Sequence, residues 1–192
     1  MIFSCQVDNV QNFRVQIKTR DMAMKYLQLY VPDLSTSLIQ KFKSQLRSLE
    51  VYINNQTSEA LVFLESYFFT GGMFASNDKP RDIQPHSGCV YFLANKSIVA
   101  GVSGGFKFKV VGKDVYMYLG FSNPLMGSYK TFVYLMKDGY QSAEQAYDMA
   151  ENDSLKMVVC DEYIAEVALT YPYYSPFSRI HCKISYMEKT IV

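Results

Sequence analysis

The sequence predicts a mainly β protein, a β-sandwich flanked by two helices and preceded by an extra N-terminal segment. Three observations carry that expectation. Most of the chain beyond residue 50 breaks into short runs rich in Val, Ile, Tyr and Phe, bounded by turn residues. The aromatic inventory, 16 Tyr and 13 Phe with no Trp, suits pleated and half-buried surfaces. Only two stretches carry a clear helical pattern.

Residues 1–33 form an N-terminal extension of uncertain structure. Phe13, Val15 and Ile17 alternate with polar neighbours in the manner of a strand, Asp21 to Tyr30 fits a short helix, and Pro32 stops whatever precedes it. From Leu34 the pattern changes. Leu34, Leu38, Ile39, Phe42, Leu46 and Leu49 fall within about 140° at roughly 100° per residue, with Lys41, Lys43 and Arg47 outside that arc. This is an amphipathic helix over 34–49, with Ser35, Thr36 and Ser37 able to cap it. Its stripe suits either docking on a core or lying in a membrane interface, where basic residues would flank the apolar face.

The period then becomes two. Strands are expected at 50–54, 60–70, 89–93, 99–111, 114–121, 131–136, 163–171 and 180–187. Phe106 to Val110 alternates most cleanly, and Gly112-Lys113 supplies a turn into the next strand. Gly139 to Ala150, with Ala143, Ala146, Tyr147 and Ala150, is the second helical candidate. Residues 34–192 thus read as a single domain that includes the amphipathic helix.

Composition narrows the function. With 19 Lys plus Arg against 18 Asp plus Glu and no like-charge block, the footprint of a duplex nucleic-acid binder is missing. No apolar run approaches the roughly 20 residues of a membrane span, and residues 1–10 lack the apolar core of a signal peptide. That pattern suits a mature, truncated or cytosolic chain. Cys5, Cys89, Cys160 and Cys182 form no CxxC and read as buried free thiols, with a Cys160–Cys182 disulfide as the alternative. His86 and His181 lack partners at zinc-ligand spacing, so no metal is expected.

Nor is an enzyme expected. Gly101-Val102-Ser103-Gly104-Gly105 matches G-x-S-x-G, with His181 downstream, but a nucleophile elbow needs a helix after the serine and Phe106 to Val111 reads as a strand. The glycines more simply permit a bulge or close backbone approach. Cofactor-binding glycine motifs are absent and the carboxylates are scattered, so no cofactor is expected.

The order of features then resembles a known family. A helix runs into Val51-Tyr52-Ile53-Asn54-Asn55-Gln56-Thr57. It is followed by Ser66-Tyr67-Phe68-Phe69-Thr70-Gly71-Gly72, Ile83-Gln84-Pro85, Val99-Ala100-Gly101-Val102-Ser103-Gly104 and Gly120-Phe121-Ser122-Asn123-Pro124, with Ala-Glu-Gln-x-Tyr at 143–147. This resembles the actinoporin-like family, the sea-anemone cytolysins and their relatives, over roughly residues 36–187.

The resemblance implies a secreted, pore-forming β-sandwich protein with no catalytic site. Such proteins bind phosphocholine lipid headgroups, often preferring sphingomyelin. They then self-oligomerise on the target membrane and insert the N-terminal helix, here Leu34, Leu38, Ile39, Phe42, Leu46 and Leu49. The family's headgroup pocket falls on Thr70, Ser103, Ser122, Pro124, Tyr129 and Tyr147. Hydroxyls would donate to phosphate oxygens, and tyrosine rings would face the quaternary ammonium. Leu125, Met126 and Tyr129 would dip into the interface.

Departures from the family pattern also carry information. The loop Leu125-Met126-Gly127-Ser128-Tyr129-Lys130 is short, with one aromatic residue and no tryptophan. Ala150, Glu151 and Asn152 stand where tandem tyrosines are expected, placing a negative charge near the phosphate. A second expectation therefore stands beside the first: a non-lytic module resembling the fungal fruit-body lectins, which binds a carbohydrate or lipid headgroup in the same groove.

Overall fold

The computed structural model describes residues 37, 40–41, 47–73, 80–95, 100–152, 156–170 and 177–187. The chain divides into two units, 1–35 and 36–192, and the first lies outside the described residues. Among the described residues from Arg47 onward, ten strands and one helix follow in order: β1 (Arg47–Asn55), β2 (Leu61–Thr70), β3 (Gly72–Met73), β4 (Ser87–Asn95), β5 (Val102–Val110), β6 (Tyr116–Asn123), β7 (Lys130–Met136), α1 (Ala143–Asn152), β8 (Met157–Cys160), β9 (Tyr163–Thr170) and β10 (Phe177–Tyr186). One sheet has the order β3-β4-β1-β10-β9-β8 and the other β2-β5-β6-β7. All pairs are antiparallel except β1 with β10.

Alternation dictates the sandwich. Leu49, Val51 and Ile53 of β1, with Ile180, Cys182 and Ile184 of β10, point into a core that also holds Phe106, Phe108, Leu119 and Phe121 of the second sheet. The Phe106 ring lies 5.1–6.4 Å from those of Phe63, Phe68, Tyr91, Phe108 and Phe121. These edge-on and tilted contacts explain why aromatic β-formers concentrate here. Asn123, fully buried, ties the sheets together: its Nδ2 donates to the Ser48 carbonyl at 3.2 Å and to Ser178 Oγ at 3.0 Å.

One boundary is corrected. The strand begins at Arg47 rather than after Leu49, so Leu49 belongs to the buried core of β1 and not to an inserting helix. Leu49 satisfies both periods, i+3 from Leu46 and i−2 from Val51. Pairing of Ser48 and Leu49 with β4 on one side and β10 on the other decides for the strand. Ser37, Gln40 and Lys41 are helical and exposed; Leu34, Leu38, Ile39, Phe42 and Leu46 lie outside the described residues. The disulfide alternative is also corrected. Cys160 and Cys182 are free, as is Cys89, because β9 separates β8 from β10.

The outer face of the six-stranded sheet carries Glu50, Tyr52, Phe92, Arg179 and His181. Burial, and then the Arg179 guanidinium, lower the His181 pKa to about 4. Between that value and the ordinary 6.5, the unfolded chain binds a proton that the folded chain does not. Stability therefore falls as pH drops through this window, by at most about 3 kcal/mol. Urea midpoints measured from pH 7 to pH 4 check this: replacing His181 by Gln is expected to flatten that part of the profile.

Candidate functional site

Strand pairing builds a row of polar residues at one rim of the four-stranded sheet. Thr70 pairs with Ser103, Ser103 with Ser122, and Ser122 with Lys130, so β2, β5, β6 and β7 each contribute one side chain to the same face. The same face, two residues further in, carries Gly105 opposite Gly120, and α1 packs directly on this pair. A Cβ on Gly105 would stand 2.1 Å from the Ala143 carbonyl oxygen, and one on Gly120 would stand 2.0 Å from that of Ala146. The glycines lower the helix onto the sheet and bring its C-terminal turn over the row.

That turn presents Tyr147 and Glu151, four residues apart and therefore on one helical face. The Lys130 Nζ donates to the Glu151 carbonyl and to Glu151 Oε2, both at 2.7 Å. The last turn of α1 holds no basic residue of its own, so Lys130 supplies from β7 the positive charge that a helix C-terminus favours. Burial works against the charged form of Glu151, but hydrogen bonds from Lys130 and Ser122 outweigh it and hold the carboxyl below its usual range.

Ser103 and Ser122 lie beneath the charge pair, 5% and 4% exposed, with their Oγ atoms 2.9 Å apart. The hydroxyls are thus directed at one another and at Glu151. A phosphate approaching from solvent meets Lys130 and the half-buried Thr70 before it meets either serine. Ser103 is also inside β5, whose strand continues through Phe106 to Val110, so the strand–turn–helix geometry of a nucleophile elbow is not formed there.

Tyr147 is half-buried. Its ring stacks on Phe69 at 5.3 Å and 12°, with Tyr67 at 5.9 Å. Burial first, and then the Glu151 charge, raise its pKa. Phe69 reaches it by ordinary alternation, on the face of Tyr67, and the register shift between Phe68 and Thr70 then brings Thr70 to that same face opposite Ser103. Pro124, half-buried, opens the loop beyond β6. Arg47 at the start of β1 donates to the Leu125 carbonyl and to the Tyr129 hydroxyl, both at 3.0 Å, tethering that loop to the other sheet. Leu125 and Tyr129 are consequently half-buried, while Met126 is 87% exposed and Phe69 61%.

The structure therefore gathers Thr70, Ser103, Ser122 and Tyr147 at one rim, with Pro124, Leu125, Met126 and Tyr129 in the loop that leaves it. Sequence reasoning missed Lys130, Phe69 and Arg47 as contributors. An antiparallel β6–β7 hairpin puts Lys130 opposite Ser122, which is its signal in the sequence; Arg47 reads there as part of the polar face of a helix. Among the described residues no cluster of His, Cys, Asp and Glu could hold a metal ion.

No protein-family model and no curated protein matches the chain in sequence. Among solved structures, the lipid binding protein Nakanori is similar, with a TM-score of 0.63 at 14% identity over 96% of this chain and 100% of that one. RahU, solved in complex with a Tris molecule, is more remote, with a TM-score of 0.49 at 7% identity over 77% of this chain and 100% of its own.

Proposed function

We infer a lipid-binding role from this rim and from the β-sandwich fold that the chain shares with Nakanori. We propose that the chain is a membrane-binding protein that recognises zwitterionic phospholipid headgroups, a phosphate bridged to an ammonium group, at the rim formed by Thr70, Lys130, Tyr147 and Glu151. It acts after secretion, at the surface of a target cell, and catalyses no reaction. One observation carries this reading: a partly exposed charge pair stands at the sheet end where Phe69 and Met126 project into solvent. Phosphate falls to Lys130 and the Thr70 hydroxyl, and the headgroup cation to Glu151, with a face of the Tyr147 ring beside it. Ser103 and Ser122 support the pair from below. Nakanori, as a lipid binding protein on the same fold, supports the reading.

Phe69 and Met126 anchor the rim. Transferring such side chains from water to an apolar phase gains about 1.5–3 kcal/mol each, so Phe69→Ala with Met126→Ala is expected to weaken vesicle partition by roughly a hundredfold or more. Cosedimentation with sphingomyelin and phosphatidylcholine vesicles checks this; undiminished partition would remove the rim from the membrane contact.

Self-assembly and insertion of the upstream helix form the lytic part of the reading. Because β1 begins at Arg47, a helix from Leu34 has at most about 13 residues and about 20 Å of length, short of the roughly 30 Å hydrocarbon core. Insertion as a pore wall then draws on residues before Leu34. Dye release separates the outcomes: leakage supports a pore, whereas vesicle binding without leakage leaves a non-lytic headgroup module. Glycan-array binding without vesicle binding would instead favour the carbohydrate reading.

A further inference from the structure

Resting on that headgroup reading, we propose that Glu151 makes the site selective for phospholipids whose cation carries N–H groups, the phosphoethanolamine class, over those with a quaternary ammonium. The two cations ask for different partners. A quaternary ammonium has no hydrogen to donate and is held by open aromatic faces, several at once. A primary ammonium has three donors and is best satisfied by a carboxylate.

The rim is built for the second. Tyr147 is the aromatic residue of α1 at this site, and one of its faces is already covered by Phe69 in a near-parallel stack. The next helical turn brings Ala150, Glu151 and Asn152. Glu151 is one-third exposed, and its two oxygens offer about four acceptor positions, of which Lys130 and Ser122 occupy part. The buried Ser103–Ser122 pair has its hydroxyls turned along this row, which fixes where the carboxylate stands.

Lys130 completes the fit. Two of its three ammonium protons go to the Glu151 carbonyl and Oε2, and its side chain is 36% exposed. That leaves a partly exposed ammonium with a donor beyond those given to Glu151, next to a carboxylate with acceptor positions to spare. A donor for phosphate and an acceptor for ammonium therefore stand next to each other, matching the two ends of a headgroup separated by one ethylene bridge.

A methylation series tests this on the full chain. Phosphatidylcholine vesicles would carry a fixed minor fraction of phosphatidylethanolamine, its N-methyl or its N,N-dimethyl derivative, and partition would be read by cosedimentation. Binding is expected to fall stepwise as N–H groups are lost, by about tenfold across the series, and ceramide phosphoethanolamine is expected to outcompete sphingomyelin. In Glu151→Gln the gradient should flatten. Soluble phosphoethanolamine should compete weakly, since it brings no acyl chains to the rim. Equal or stronger binding to pure phosphatidylcholine or sphingomyelin overturns the N–H preference but leaves the headgroup reading standing. Failure to bind any of these vesicles sinks both. A gradient retained in Glu151→Gln would assign the preference to another group. The wild-type series decides the matter even where that variant folds poorly.

Discussion

Alanine at position 120 is expected to lower the melting temperature by on the order of 10 °C and to abolish vesicle binding together. The Cβ would stand 2.0 Å from the Ala146 carbonyl oxygen and 2.8 Å from the Ala150 Cβ, so the helix must move by more than an ångström to admit it. The clash is with backbone, which cannot swing aside as a long side chain would. Overpacking of this kind costs about 3 kcal/mol, and a domain of this size loses roughly 2–4 °C per kcal/mol. The functional loss follows from geometry, because α1 carries Tyr147 and Glu151 and is held at its C-terminal end by Lys130. Lifting the helix separates that pair from the Ser103–Ser122 row. Gly72→Ala is the internal control: nothing lies within 4 Å of a Cβ there, so neither thermal stability nor binding should change. A Gly120→Ala protein that melts normally and still binds vesicles would show that the helix does not need its close seat.

That close approach also shows what the sequence could and could not reveal. The alternation of Phe106 to Val110 made β5 legible, since one face of the strand faces the core and the other faces solvent and helix. The glycines at 101, 104 and 105 were readable as places of close backbone approach, but the partner was not: only the folded pairing of Gly105 with Gly120 shows a helix descending on both. β8 escaped notice because Met157 to Cys160 is four consecutive apolar residues with no alternation, and it pairs on one side only, through a two-residue turn with Asp161 at a φ of 55°. β3, two residues long, has too little sequence to carry a period.

The candidate site was legible by residue type and not by direction. Thr70, Ser103, Ser122 and Tyr147 come together, yet the serine hydroxyls face inward along the row rather than outward to a phosphate. Hydroxyl orientation depends on which neighbour needs a donor, and the neighbour in question, Glu151, arrives from a helix some 30 residues further along the chain. Lys130 is legible by position, opposite Ser122 in the β6–β7 hairpin, but not by role, which arises from an ion pair across 21 positions.

The second large effect concerns a charge pair on the opposite sheet. Glu50 and Arg179 sit directly across the parallel β1–β10 ladder, with Arg179 Nε 2.9 Å from Glu50 Oε1 and side chains only 7% and 16% exposed. On its other flank Glu50 is paired with buried Phe92. Two charges withdrawn from water in this way offset each other's desolvation, and removing one strands the other. Glu50→Leu is therefore expected to cost about 3–5 kcal/mol, whereas Glu50→Leu combined with Arg179→Met should recover most of the loss, because two apolar side chains of similar volume bear no desolvation penalty. A double-mutant cycle from urea unfolding measures this, and the sign of the coupling is what matters. If the pair is a net stabiliser through its own attraction, the double variant stays as unstable as the single one. Recovery would mean that the pair is tolerated as a unit, its members specifying the β1–β10 register by the cost of mispairing, since a slip of one residue would set Glu50 against Ser178 or Ile180 and leave both charges without their partner.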